Sequence, residues 1–128
     1  MSLTRAELSD LGVAGLCAAG RALALRLADL GLRVSLYDAS SGIVEEFAAR
    51  NAGARGGFVG YVNCEDFVDS LDSPRRIVVF ETAPGPAACA LRTLLRDTDR
   101  LLEYPLHEEH VPFDDLAQLE MTLVFQMA

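Results

Sequence analysis

Gly15-Leu16-Cys17-Ala18-Ala19-Gly20 is the stretch whose residue types and spacing promise chemistry. It follows a short apolar segment beginning at Asp10 and opens an apolar helical pattern. Gly15 permits a tight turn that a side chain would obstruct, and Gly20 lets a helix lie close against the preceding strand. The first N–H groups of such a helix have no intrahelical acceptor and sit at the positive end of its dipole. They therefore attract phosphate oxygens. Cys17 holds the middle position, where a further glycine would give the backbone its closest approach to phosphate. Asp38 stands about 20 residues beyond the glycines, where a carboxylate accepts hydrogen bonds from ribose hydroxyls.

The elements that must position these residues alternate in type. A strand before Gly15 leads to a helix over Ala18 to Leu30, with Leu23, Leu27 and Leu30 on one face and Gly31 as its stop. Arg33 to Tyr37 alternates as a second strand. Ser40 or Ser41 caps a helix through Asn51, and the glycine-containing segment Asn51 to Gly57 is a loop. Phe58 to Val62 is a third strand. Asn63 caps a short helix through Leu71, with Asp66 at the position of a capping box. After the break at Asp72-Ser73-Pro74, Arg76 to Phe80 is a continuous apolar run, as suits a strand buried on both faces. Thr82 to Pro86 is a turn, and a helix follows to about Arg96. Leu101-Leu102 is a short fifth strand. Pro105 to Phe113 is a polar loop, Asp114 to Leu119 a short helix, and Met121 to Met127 an apolar strand. This order predicts an α/β fold: a Rossmann-type, doubly wound, mainly parallel sheet of about six strands with right-handed crossovers.

Composition narrows the function classes. A chain of 128 residues with 51% hydrophobic content supports one domain with a core of its own. A net charge of -8 and a pI near 4.6 argue against nucleic acid and anionic membranes as partners. No run is long and apolar enough for a transmembrane helix, and Met1 to Arg5 lacks the apolar core of a signal peptide. Cys17, Cys64 and Cys89 show no C-x-x-C spacing and read as reduced thiols of a cytoplasmic protein. All 11 basic residues other than histidine are arginine, so no lysine is available as a base or Schiff-base nucleophile.

Other candidates read as structural. Cys17 is taken as a small apolar residue in place of alanine, against the alternative of a thiolate activated by the helix start. His107-Glu108-Glu109-His110 lacks the H-E-x-x-H spacing and a third ligand, and is read as a solvated acidic loop, so no metal site is expected. Asp114-Asp115 reads as a helix cap. Arg75-Arg76 reads as the lead-in to a strand, with stems packed and heads in water. The strand Met121 to Met127, left uncovered, would favour a homodimer.

The chain resembles the N-terminal coenzyme domain of 6-phosphogluconate dehydrogenase, within the β-hydroxyacid dehydrogenases. Gly15-Leu16-Cys17-Ala18-Ala19-Gly20 is similar to that family's Gly-Leu-Ala-Val-Met-Gly turn, whose middle glycine is already alanine. Val44-Glu45-Glu46-Phe47 is similar to its Val-Asp-Asp-Phe, and Asp72-Ser73-Pro74-Arg75-Arg76-Ile77 to its Lys-Pro-Arg-Arg-Ile. The resemblance runs from about Asp10 to Leu102. It implies a single domain over residues 1–128 that binds NAD or NADP, a dinucleotide partner, and the oxidoreductase chemistry of the pentose phosphate pathway. The residues it assigns are Gly15, Leu16, Cys17, Ala18, Ala19 and Gly20 at the pyrophosphate, Asp38, Ala39 and Ser40 at the adenosine ribose, and Thr82 and Ala83 on the adenine side.

Departures from that family concern function directly. Where it has Asn-Arg-Thr, whose arginine and hydroxyl hold the 2′-phosphate of NADP, this chain has Asp38-Ala39-Ser40. The arginine is lost and a carboxylate is gained, which favours NAD. The family's Val-Lys-Ala-Gly is here Glu81-Thr82-Ala83-Pro84, and its Asp-Gly-Gly-Asn is Glu103-Tyr104-Pro105-Leu106. The family's catalytic Lys and Glu and its helical substrate domain fall beyond Ala128, so no catalytic residue is assigned and the chain alone is expected to lack dehydrogenase turnover. Two readings follow: a coenzyme-binding domain of a 6-phosphogluconate-dehydrogenase-like oxidoreductase, or a stand-alone Rossmann-like pseudoenzyme serving as a ligand-binding or protein-interaction module. A methyltransferase also shares a glycine turn and a ribose-binding acid, but the ordered match favours the dehydrogenase family.

Overall fold

The computed structural model describes residues 8–81 and 86–105. Five strands alternate with four helices: β1 (Leu11–Ala14), α1 (Ala18–Asp29), β2 (Val34–Tyr37), α2 (Ser41–Arg50), β3 (Phe58–Tyr61), α3 (Cys64–Asp69), β4 (Arg76–Glu81), α4 (Pro86–Leu94) and β5 (Arg100–Pro105). The strands pair in the order β3-β2-β1-β4-β5, and every pairing is parallel. This is the doubly wound Rossmann arrangement, with the chain reversing direction across the sheet between β1 and β4. Ligands of such sheets bind outside the carboxyl ends of the strands at that reversal.

Both faces of the sheet are buried, which explains the uninterrupted apolar run in β4. Val78 and Phe80 join Leu23, Leu27, Val44 and Phe47 in one core, against α1 and α2. Ile77 and Val79 join Phe67, Val68 and Leu91 in a second core, against α3 and α4. The two-residue period of a strand distributes the side chains this way. Ser35 is a polar residue in the buried strand β2. Its hydroxyl meets that of Ser9 at 2.7 Å and that of Ser70 at 2.8 Å, so its burial leaves no unmet hydrogen bond.

Several local expectations hold, and some shift. The side chain of Asn63 accepts from the Asp66 N–H at 2.8 Å, capping α3 as read. Ser40 is at the N-cap of α2, but its side chain makes no capping bond. β5 extends from Arg100 to Pro105, beyond the Leu101-Leu102 pair, because six successive residues find parallel partners on β4. α4 ends at Leu94. The Arg75 head is drawn inward instead of standing in water: its side chain is 16% exposed and its guanidinium is 3.6 Å from the buried Asp99 carboxylate. The loop, short helix and strand expected after Pro105 lie outside the described residues, as do His107, His110 and the surface behind the homodimer expectation. Among the described residues, no helix is long and apolar enough to cross a membrane.

Candidate functional site

The carboxyl ends of β1, β2 and β4 converge on the glycine turn. The Gly15 N–H donates to the Tyr37 carbonyl at 2.9 Å, which ties the start of the turn to the end of β2. Gly15 has φ +92°, and a Cβ there would lie 2.2 Å from the Phe80 carbonyl oxygen of β4. A Cβ on Gly20 would lie 2.0 Å from the Gly15 carbonyl oxygen. The two glycines thus have separate reasons: the first takes a backbone shape that side chains resist, and the second lets α1 rest on the turn itself.

The start of α1 is open to an acceptor. Cys17 is the N-cap residue and makes no side-chain capping bond. The Arg21 N–H donates to the Cys17 carbonyl at 2.9 Å as the helix begins. The N–H groups of Ala18, Ala19 and Gly20 precede that bond and have no intrahelical acceptor. The Ala19 and Gly20 positions are buried against the sheet, Ala18 is exposed, and Leu16 is 3% exposed in the core below. Cys17 is half-buried and packs against that same core, which fits the small apolar role.

Asp38 joins the turn to the segment after β2. Its Oδ2 accepts from the Leu16 N–H at 2.7 Å and its Oδ1 from the Ser40 N–H at 2.9 Å. The Leu16 amide was expected to face a phosphate; here it is engaged by the chain's own carboxylate. Each carboxylate oxygen keeps a second lone pair, so Asp38 can still accept from a hydroxyl. Ala39 and Ser40 are exposed beside it. Thr82 and Ala83 lie outside the described residues.

A cavity of about 430 Å³ opens here, bounded by Gly15, Asp38, Ala39 and the end of β4. Its size falls in the usual range for small-molecule sites. Cys17 is not among the described residues lining it, so the thiol does not plug it. Six lining residues were not assigned from sequence: Tyr37, Cys64, Val79, Phe80, Glu81 and Ala90. The available signal was alternation, since Tyr37 and Glu81 end strands whose inward positions were already apolar. Hydrogen bonding to Cys64, then burial, then the charges of Cys64 and Asp38 raise the Tyr37 phenol above its ordinary value, so it stays protonated. The described lining side chains include two acids and no cation. Among the described residues, no group of three or more His, Cys, Asp or Glu is arranged to hold a metal.

The family model for the NAD binding domain of 6-phosphogluconate dehydrogenase matches residues 10–96. The decarboxylating 6-phosphogluconate dehydrogenase of Chlamydia trachomatis is 34% identical over 87 residues, which are 68% of this chain and 18% of that protein. The NADP(+)-dependent, decarboxylating enzyme of Bacillus subtilis is 36% identical over 86 residues, 67% of this chain and 18% of the relative. The chain thus spans under a fifth of the length of these relatives. The structure of Plasmodium falciparum 6-phosphogluconate dehydrogenase, described apo, with NADP+ and with 6-phosphogluconate, superposes with a TM-score of 0.65 at 22% identity. It covers 75% of this chain and 21% of that one, and at this identity the likeness is one of fold.

Proposed function

The chain belongs to the family of NAD binding domains of 6-phosphogluconate dehydrogenase, and on that premise we propose that it holds the adenosine diphosphate half of NAD(P), with NAD preferred. The diphosphate lies over Gly15 and the start of α1, where the N–H groups of Ala18, Ala19 and Gly20 precede the first helical bond. Asp38 receives the ribose hydroxyls. Ala39 and Ser40 flank it, and the family resemblance assigns Thr82 and Ala83, outside the described residues, to the adenine side. Bound coenzyme supplies the hydride acceptor; the chain's own residues bind and orient it, and none is assigned a proton-transfer role. The parent chemistry in this reading is oxidation of a phosphorylated sugar acid.

The observation that carries the coenzyme preference is the carboxylate of Asp38, held at the turn by the Leu16 N–H at 2.7 Å. A 2′-phosphate there would meet a negative charge, and the aligned arginine is absent. Calorimetric titration with NAD, NADH, NADP and NADPH tests the reading. Micromolar binding of NAD, with NADP weaker, supports it. Equal binding of NADP would overturn the preference. Silence for all four would favour the second reading, an interaction module with a decayed site, which the engagement of the Leu16 amide by Asp38 also favours.

A further inference from the structure

We propose that the groove between the carboxyl ends of α1 and α2 docks an acidic peptide segment of a partner protein, with Arg26 and Arg50 receiving its carboxylates. This groove, of about 410 Å³, lies where α1 hands the chain to β2 and α2 hands it to β3. The glycine turn is at the other end of α1. That helix has 12 residues, so at about 1.5 Å per residue the two places stand about 18 Å apart. The proposal is therefore independent of the coenzyme reading.

Charge sets this place apart from the rest of a chain whose net charge is -8. Arg26 and Arg50 bound the groove from the last turns of the two helices, and both are exposed. Arg55 is close by, its Nε 3.8 Å from where a Cβ on Gly31 would stand, just past the end of α1. Against these three guanidiniums stand the carboxylates of Asp29 and Glu46. Glu46 pairs with Arg50 across one helical turn with both side chains mostly in solvent. Such pairs are weak, so an incoming carboxylate can take the place of Glu46. Leu25, 39% exposed, and Ala54 add aliphatic surface. Asn51 donates its Nδ2 to the Phe47 carbonyl at 2.9 Å, which fixes the amide in the groove. Its Oδ1 and the Asp29 carboxylate are acceptors for backbone N–H groups. A Cβ at Gly53 would meet nothing within 4 Å, so that rim is open to entry. Guanidiniums for carboxylates, acceptors for N–H groups and a leucine for an aliphatic side chain together match an extended acidic peptide. Inorganic phosphate would satisfy the arginines alone and be opposed by Asp29.

The test uses the 128-residue protein and a fluorescein-labelled Glu-Glu-Leu-Glu-Glu peptide, with binding read by fluorescence anisotropy at low salt. Saturable binding with a Kd below about 1 mM is expected, weakening at least about fivefold at about 0.2 M salt. Gln-Gln-Leu-Gln-Gln should bind at least about tenfold more weakly, and Glu-Glu-Gly-Glu-Glu about threefold more weakly. The Arg26→Gln, Arg50→Gln protein should lose at least about tenfold in affinity for the acidic peptide, with its thermal midpoint and its NAD titration those of the parent. Absence of saturable binding overturns the proposal. So does a folded double variant with unchanged affinity, or displacement of the peptide by equimolar inorganic phosphate at matched ionic strength. If the double variant does not fold, the peptides decide on the parent protein, and equal affinity for the Glu and Gln peptides overturns the proposal.

Discussion

Replacing Asp38 separates its bracing of the turn from the coenzyme selection proposed for it. Its Oδ2 holds the Leu16 N–H at 2.7 Å in a partly buried setting, and its Oδ1 holds the Ser40 N–H at 2.9 Å near solvent. Asp38→Ala removes both acceptors and leaves the Leu16 amide without a protein partner. Hydrogen bonds to a charged group contribute about 1.5–3 kcal/mol when sheltered, and the exposed Ser40 bond adds little, so the expected destabilisation is about 2 kcal/mol. Asp38→Asn keeps one acceptor for Leu16 and lets water serve Ser40, at a cost of about 0.5–1 kcal/mol. Charge selection behaves differently. A carboxylate and a phosphate about 5 Å apart, in an effective dielectric of about 40, repel by about 1.7 kcal/mol per unit charge. Asp38→Asn should therefore narrow the NAD-over-NADP preference about 20-fold while most stability remains. Urea unfolding followed by circular dichroism reads the first effect as a lower midpoint at unchanged slope. Calorimetry with the two coenzymes reads the second. The reasoning fails if Asp38→Ala is as stable as Asp38→Asn, or if Asp38→Asn keeps the original coenzyme ratio.

Three further outcomes follow from the same geometry. Ala39→Arg should raise NADP affinity relative to NAD by about tenfold by returning a cation beside Asp38, read by calorimetry, and a ratio that does not move would show that Ala39 is not at the ribose. Gly20→Ala places a Cβ 2.0 Å from the Gly15 carbonyl oxygen. It should lower stability by about 2 kcal/mol or more and weaken NAD binding with it, and a thermal midpoint equal to the parent would contradict the close approach. Asp99 governs an acid limb of stability. Burial tends to raise its pKa, but N–H donation from Arg96 and Arg75 and the charge of Arg75 outweigh this and hold the carboxyl below its ordinary value. A lowered folded-state value means the contribution is present above the ordinary carboxylate range and is lost as pH falls through the folded value. Asp99→Asn should thus be less stable than the parent at pH 7, with the gap in urea midpoint closing as pH falls below the ordinary carboxylate range; a gap that stays constant with pH would refute the assignment.

Local pattern accounted for most of the elements. The strand and helix order came from periodicity, the turn from Gly15 and Gly20, and the α3 cap from Asn63, because each depends on residues a few positions apart. Ser40 takes the N-cap position of α2 as read, but its side chain makes no bond to the helix, while its N–H donates to Asp38 two positions earlier. The strand β5 was read too short because its charged residues hid a register that only β4 imposes.

The chain's own alphabet was enough to determine the fold class, the glycine turn and the acid after the second strand. Tertiary structure alone decided what those parts meet. Placing β1 beside β2 brings Asp38 to Leu16 across 22 positions, and placing β4 beside β5 brings Asp99 to Arg75 across 24. It also gathers Tyr37, Cys64 and Glu81 around one cavity. Helical and strand periods repeat within a few residues and can be read along the chain. Which strand lies beside which is set by burying both sheet faces at once, and that is a property of the whole assembly of elements.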